Sequence, residues 1–234
     1  MSVFSLGKSI LDKYPRLINI AAFLYNLISF NSIKIKNNKI IKNTAFMKRC
    51  KIRIKGSGNE IIFGKKCLLS HCSIVITGNN NKIVLGDSIY ADKCTFCIED
   101  SGNLITLNDD TRIFGPCEFA AMEGTKIELG NGCLISSNTV FRTGDSHSLL
   151  DLNGNRINPS QNIIIGNRVW VGQRAVVLKG ATIADDSVVS LGAVVTKQFT
   201  EGKAVLAGVP ARVVKTDIKW YKERIEVKRG TEDE

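Results

Sequence analysis

Aliphatic residues recur at every sixth position in the second half of the chain: Ile165, Val171, Val177, Ile183, Val189 and Val195. Four residues after each stand Val169, Ala175, Ala181, Ser187, Ala193 and Phe199, small in all but the last. A period of six is neither the 3.6 of a helix nor the simple alternation of one long strand. It predicts a triangular coil in which a short strand, a corner and the next flat side follow one another. The aliphatic residue points inward and the small one fills the crowded corner. Upstream the period lengthens to 22, with rows beginning at Asn37, Asn59, Asn81, Asn103 and Thr125. Inward columns read Ile41, Phe63, Leu85, Leu107, Leu129 and Cys50, Cys72, Cys94, Pro116, Asn138, and the last two rows drift from the pattern. Within a row, Cys50-Lys51-Ile52-Arg53-Ile54-Lys55 alternates as a half-buried strand does. Gly78-Asn79-Asn80-Asn81 supplies turn material between rows. Rows of 22 residues fit a coil of 18 with a four-residue corner loop.

Both periods describe an all-β parallel solenoid. The chain divides into an N-terminal helical segment at 1–36, coils of period 22 at 37–146, a loop at 147–162, hexapeptide coils at 163–214, and a short C-terminal helix with an acidic tail at 215–234. The repeat is already broken from Gly144, and a long polar loop in a compact domain is usually functional. The uncharged run from Leu17 to Ser32 is shorter than the roughly 18–20 apolar residues of a membrane span. No small-residue cleavage pattern follows it. An amphipathic or packing helix, with Pro15 near its start, is the expectation.

Seven cysteines, an odd number, argue for reduced thiols in the cytoplasm rather than a disulfide framework. Cys50, Cys72 and Cys94 read as small hydrophobes stacked in one column. Cys94 and Cys97 form a CxxC whose members face opposite sides of an alternating strand, so no metal site is expected. Of the two histidines, His71 lies in a strand-like stretch and reads as structural, whereas His147 lies in the loop Thr143-Gly144-Asp145-Ser146-His147-Ser148. A loop imidazole can take a proton near neutral pH. Asp145 or Asp151 could orient it.

The net charge of +10 first suggests nucleic acid. Its location changes that picture. Residues 34–66 carry eleven Lys and Arg against the single acid Glu60, which accounts for the whole excess. Only Phe46 and Phe63 lie there, a poor stacking surface, so no nucleic-acid partner is expected. Lys51, Arg53 and Lys55 form one outward row. Solubility, an anionic glycan and an anionic membrane surface remain as explanations. The membrane reading takes in residues 17–66, the uncharged segment together with the basic one.

The run Asn167-Arg168-Val169-Trp170-Val171-Gly172, continuing through Ser190-Leu191-Gly192-Ala193-Val194-Val195-Thr196-Lys197 to Ala207-Gly208-Val209-Pro210-Ala211-Arg212-Val213-Val214-Lys215, resembles the hexapeptide-repeat acyltransferases. The similarity is to their galactoside and xenobiotic acetyltransferase branch, and the Asp145–Ser148 loop resembles capsule and lipopolysaccharide sugar O-acetyltransferases. It covers about 133–215. The resemblance implies a left-handed parallel β-helix, a homotrimer with sites between adjacent prisms, acetyl-CoA as donor, and a sugar or glycan acceptor in the cytoplasm. It maps the catalytic base onto His147, with Asp145 beside it, and the pocket tryptophan onto Trp170. The pantetheine path falls on Gln173, Leu191, Gly192 and Ala193, continuing to Thr196 and Lys197. Arg212 and Lys215 fall at the nucleotide end. Asn138, Arg142 and Asp151 are candidate acceptor contacts. The galactoside branch takes an acceptor contact from an asparagine two coils before the histidine, and Arg112-Ile113-Phe114-Gly115-Pro116 offers none. An antibiotic, serine or amino-sugar acceptor, and a non-catalytic scaffold, are the alternatives. Two histidines exclude the usual three-histidine metal site of a β-helix carbonic anhydrase.

Overall fold

The computed structural model describes residues 15–226. They form one helix, α1 (Pro15–Ile28), and a triangular prism of three sheets with eight, eight and nine strands. The first face runs from Ser32–Lys34 to Val194–Val195, the second from Lys39–Lys42 to Gln198–Phe199, and the third from Phe46–Lys48 to Ala211–Lys215. The chain visits the faces in that order on every turn. All neighbouring strands are therefore parallel until Ala211–Lys215 folds back antiparallel onto Val205–Gly208. The Val209–Pro210 bond in that turn is cis.

Register reproduces the two periods. Ile74 lies on Ile52, and Phe96 on Ile74, at a spacing of 22. Val195 lies on Val177 at a spacing of 18. Both hexapeptide columns are inside: Ile183 and Val189 are fully buried, as are Ala175 and Ala181. Parallel strands normally need a long crossover. Here the remaining two sides of each turn are the crossover, so all three sides of the coil contribute inward residues to one core.

The drift of the later rows has a local cause. Phe119 lies on Phe96 at a spacing of 23, because Phe114-Gly115-Pro116 adds one residue at a corner. The next turn, at 122–124, is one residue shorter, and Ile127 returns to a spacing of 22 on Ile105. A one-residue slip along a strand would turn every side chain to the other face. Placing it in the corners leaves the inward column intact. That column therefore continues through Cys117 and Thr139 rather than Pro116 and Asn138, with Phe96, Phe119 and Phe141 stacked at 5.2 and 4.7 Å.

The rows of asparagine form a buried ladder at the corner between the first and second faces. The Asn81 N–H donates to Asn59 Oδ1 (2.9 Å), Asn103 N–H to Asn81 Oδ1 (2.8 Å) and Thr125 N–H to Asn103 Oδ1 (3.0 Å). Its first rung is Asn38 rather than Asn37, since Ile61 lies on Ile40 at a spacing of 21. Backbones approach closely at the same corner: a Cβ on Gly78 would lie 1.8 Å from the Asp100 carbonyl oxygen, at a φ of +131°.

Two terminal expectations need correction. Residues 1–36 are not all helical: α1 ends at Ile28, and Ser32–Lys34 already pairs with Lys51–Arg53 as the first strand. No helix follows residue 215 among the described residues. Instead Ala211–Lys215 is a strand, and the strap after it is pinned by Trp220 Nε1 donating to the Arg168 carbonyl (2.7 Å). Short helices are marginal without an apolar face to bury, and the predominantly polar 217–226 segment follows the prism through separate contacts. The acidic end 232–234 and residues 1–14 lie outside the described residues. The Asn81→Ala variant strands the Asn103 N–H and the Asp100 carbonyl that its side chain now serves. At about 1–3 kcal/mol per orphaned group, urea unfolding should show a loss of about 2–4 kcal/mol. Asn153→Ala, in the exposed loop, should stay within about 0.5 kcal/mol of wild type.

Candidate active site

The ladder ends where the loop begins. Thr125 Oγ1 donates to Thr143 Oγ1 (2.7 Å), and the Thr143 carbonyl accepts from Gln161 N–H (2.9 Å). The chain thus leaves the prism after Thr139–Arg142 and re-enters beside its exit point. This insertion makes the spacing 36 between Ile127 and Ile163, two coils of 18 in sequence for one step in space.

A polar clamp holds the loop. Arg156 Nη1 pairs with Glu123 Oε1 at 2.6 Å, and Ser160 N–H donates to Glu123 Oε2 (3.1 Å). Asn158, buried, donates from Nδ2 to both Asp145 Oδ2 and the His147 carbonyl (2.8 Å each), while its Oδ1 accepts from Leu149 N–H (2.7 Å). Lys179, one coil further on, completes the set by donating to Asp145 Oδ2 and to the Asn158 carbonyl. None of Glu123, Arg156, Asn158 or Lys179 stood out in the sequence. The only signal was that the break in the repeat is polar.

His147 is exposed, and among the described residues its ring has no hydrogen-bond or ion-pair partner. Neither acid considered as its orienting group meets the ring. Asp145 is held by Lys179 and Asn158, and these contacts keep its carboxyl below the usual range, Lys179 contributing most. Asp151 ties the loop tip, accepting from the Asn153 and Asn155 N–H groups (2.9 and 2.8 Å). Its carboxylate closes a local turn. Arg142 braces the near side of the loop: Nη2 donates to Ser146 Oγ (2.7 Å), Nε to the Gly144 carbonyl (3.2 Å), and Nη1 pairs with Glu118 (3.3 Å).

The other candidates fall on three further regions. Asn138, Gln173 and Leu191-Gly192 line the corner between the third and first faces, where successive coils place one residue in the left-handed region: Asn138, Arg174, Gly192. His71 occupies the equivalent corner three coils before Asn138, at φ +54°, rather than a strand. The small-residue path expected to offer free amides is partly closed. Gly192 N–H donates to the Gln173 carbonyl (2.9 Å) and Ala193 N–H to that of Ser190 (3.2 Å), and the Ala193 side chain is in the core. Leu191 stands exposed. On the third face, Trp170 is 38% exposed, donates from Nε1 to Ser136 Oγ (3.3 Å) and lies 6.2 Å from Trp220. Arg212 and Lys215 are exposed on the terminal antiparallel strand. Thr196 and Lys197 follow Val194–Val195 at the first-to-second corner, with Lys197 Nζ 5.4 Å from the Phe199 ring. Among the described residues no three His, Cys, Asp or Glu side chains converge as metal ligands.

The base candidate and the third-to-first corner thus sit at opposite ends of one strand. Thr139–Arg142, which runs from that corner to the point where the loop leaves the prism, is roughly 13 Å long at ~3.3 Å per residue.

No family model matches the chain. It is 41% identical over 91 residues to the galactoside O-acetyltransferase of Escherichia coli K12, covering 38% of this chain and 43% of that protein. It is 30% identical over 107 residues to the polysialic acid O-acetyltransferase of Neisseria meningitidis, covering 45% and 50% respectively. The chain spans about half the length of these curated relatives. Among solved structures, the crystallographic polysialic acid O-acetyltransferase OatWY superposes with a TM-score of 0.67 at 29% identity, over 83% of this chain and 92% of that one. The homologues are sugar and polysaccharide O-acetyltransferases of the hexapeptide-repeat family, and the solenoid matches the left-handed β-helix acetyltransferases.

The Glu123 carboxyl is held down at about 2, by the Arg156 guanidinium first and Ser160 second, from an ordinary 4.5. A depressed folded value means that the clamp's contribution is complete above 4.5 and is lost as pH falls toward 2. Exchange of the Leu149 amide, which donates to Asn158, should therefore accelerate relative to an unstructured amide at the same pH across that interval. In Glu123→Gln it should be several-fold faster already at neutral pH and lack the acid step.

Proposed function

We propose that the chain is an acetyl-CoA-dependent O-acetyltransferase acting on a hydroxyl of a sugar or cell-surface polysaccharide precursor, as a cytoplasmic homotrimer. The observation that carries this reading is an exposed, unpaired imidazole on a clamped loop, set on a solenoid shared with a polysialic acid O-acetyltransferase. Asn158 fixes the His147 backbone and leaves the ring free to meet substrate. His147 takes the proton of the acceptor hydroxyl as the oxygen attacks the thioester carbonyl. The tetrahedral intermediate collapses with loss of the thiolate, and the imidazolium returns the proton to the sulfur. The nucleophile is the acceptor itself, so no acyl-enzyme forms and no cysteine is needed. Consistent with this, Cys67 and Cys133 are buried thiols pushed up to about 11 by desolvation, the opposite of an activated nucleophile.

Donor binding fits the third-to-first corner. Gln173 and exposed Leu191 offer a narrow edge for pantetheine, Trp170 lies beside it, and Arg212 and Lys215 are cations for the nucleotide phosphates. The separation of His147 from this corner within one prism supports the trimer: the corner of one copy would meet the loop of the next. Arg142 and Asn138 are the acceptor contacts we propose, at the two ends of the strand between them.

Release of free thiol from acetyl-CoA against a panel of glycans, amino sugars, serine and chloramphenicol tests the reading. The expected result is turnover with a glycan, and a fall of about 10²–10⁴-fold in kcat for His147→Ala with acetyl-CoA affinity unchanged. Full activity in His147→Ala would eliminate the general base, and absence of acetyl-CoA binding in the wild type would favour a scaffold.

A further inference from the structure

Helix α1 closes the open end of the prism with one side only. Ile18, Ala22 and Ser29 are buried against the first coil, and Asn26 reaches the exposed edge of Phe46–Lys48 as a strand would. Its Nδ2 donates to the Ala45 carbonyl (2.8 Å) and its Oδ1 accepts from Met47 N–H (2.7 Å). Asn31 repeats the device, donating to the Met47 carbonyl (2.9 Å) and accepting from Cys50 N–H (2.9 Å). These contacts cap a sheet edge that would otherwise be open to pairing.

The other side of the helix is not polar. Ile20, Leu24, Leu27 and Ile28 are 55–74% exposed, and Phe30 beyond the helix end is 83% exposed. At 100° per residue, Leu17, Ile20, Phe23, Leu24, Leu27 and Ile28 fall within one arc of about 140°. A helix on the surface of a protein in water ordinarily turns charged residues outward, yet no charged residue occurs between positions 17 and 33. A continuous exposed apolar patch of this kind marks an interaction surface.

Beside it lies the basic stretch. Lys34 pairs in register with Arg53, so Lys34, Lys51, Arg53 and Lys55 project together from the first face, and Lys36 and Lys48 are exposed on the same coils. The second and third faces add Lys39, Lys42 and Arg49, so the cations belt the same end that α1 caps. An apolar helix flanked by cations has the chemistry of an interfacial segment on anionic lipid, with aliphatic and aromatic groups at the acyl boundary and lysines at the headgroups.

We propose that the helix-capped end of the prism docks on an anionic phospholipid surface, with the exposed arc of α1 entering the interface and the Lys34–Lys55 cluster binding headgroups. Charge complementarity selects this occupant over a second copy of the chain, whose equivalent end would bring like charges together. Docking is independent of the transferase reading. It needs no spanning segment, and no helix among the described residues is long and apolar enough to cross a membrane.

Flotation with vesicles of phosphatidylcholine, with and without phosphatidylglycerol, tests it. The wild type should float with the anionic vesicles only and be released by 0.5 M salt. Two variants separate the contributions: Lys51→Glu/Arg53→Glu/Lys55→Glu, and Leu24→Asp/Leu27→Asp. Each should partition at least about 100-fold more weakly, as expected for losing three surface cations or two inserted side chains. Circular dichroism should show both still folded, since all five residues are solvent-exposed. Failure of the wild type to bind anionic vesicles would overturn the proposal, as would unchanged binding by either variant. So would a lower oligomeric state of the leucine variant in sedimentation together with normal flotation, which would make the arc a contact between copies.

Discussion

Every coil of this protein has half of a core and must borrow the other half from its neighbours. A single turn cannot bury its inward residues, since the strands are two to six residues long and each turns only one to three residues inward. Parallel hydrogen bonding from coil to coil supplies that neighbour and sets the position of each column. Ile52, Ile74, Phe96, Phe119, Phe141, Val177 and Val195 follow one another down the first face. Burial of a large aliphatic or aromatic side chain contributes about 1.5–3 kcal/mol, and a broken register would forfeit it at every position at once.

Polar groups inside the corners obey the same constraint. Asn59, Asn81 and Asn103 are almost fully buried, and each amide serves the coil above or below. A buried amide without partners would be costly, so the ladder specifies stacking in steps of one coil. It terminates in two hydroxyls, Thr125 and Thr143, from which the loop departs. The loop is thereby anchored to the buried ladder of the prism. Glu123 and Lys179 then hold it from two separate coils, Asn158 ties it from within, and the His147 ring is left without a partner among the described residues.

The two ends of the prism are finished differently. At the C-terminal end the chain folds back as an antiparallel strand and a strap that inserts Trp220. At the N-terminal end Asn26 and Asn31 imitate a strand and leave the outer side of α1 bare. Both devices satisfy the backbone of the terminal coil, and the second leaves a continuous apolar helix face uncovered.

The sequence alone determined the solenoid, its two periods, the inward columns and the place where the repeat breaks. These are legible because each coil contacts only the coils beside it, so the pattern repeats at a fixed spacing and burial alternates with a period of two. His147 was visible for the opposite reason, as a titratable residue inside a break. The tertiary structure decided what periodicity does not encode: that Asp145 faces Lys179 instead of the imidazole, that the Gly192 amide is used by the preceding coil and that of Ala193 by its own corner, and that the extra residue at 114–116 sits in a corner. It also decided which arc of α1 is covered. Such contacts join residues from different coils and a non-repeating loop, 33 positions apart for Glu123 and Arg156, and only the closed path of the chain around the prism brings them together.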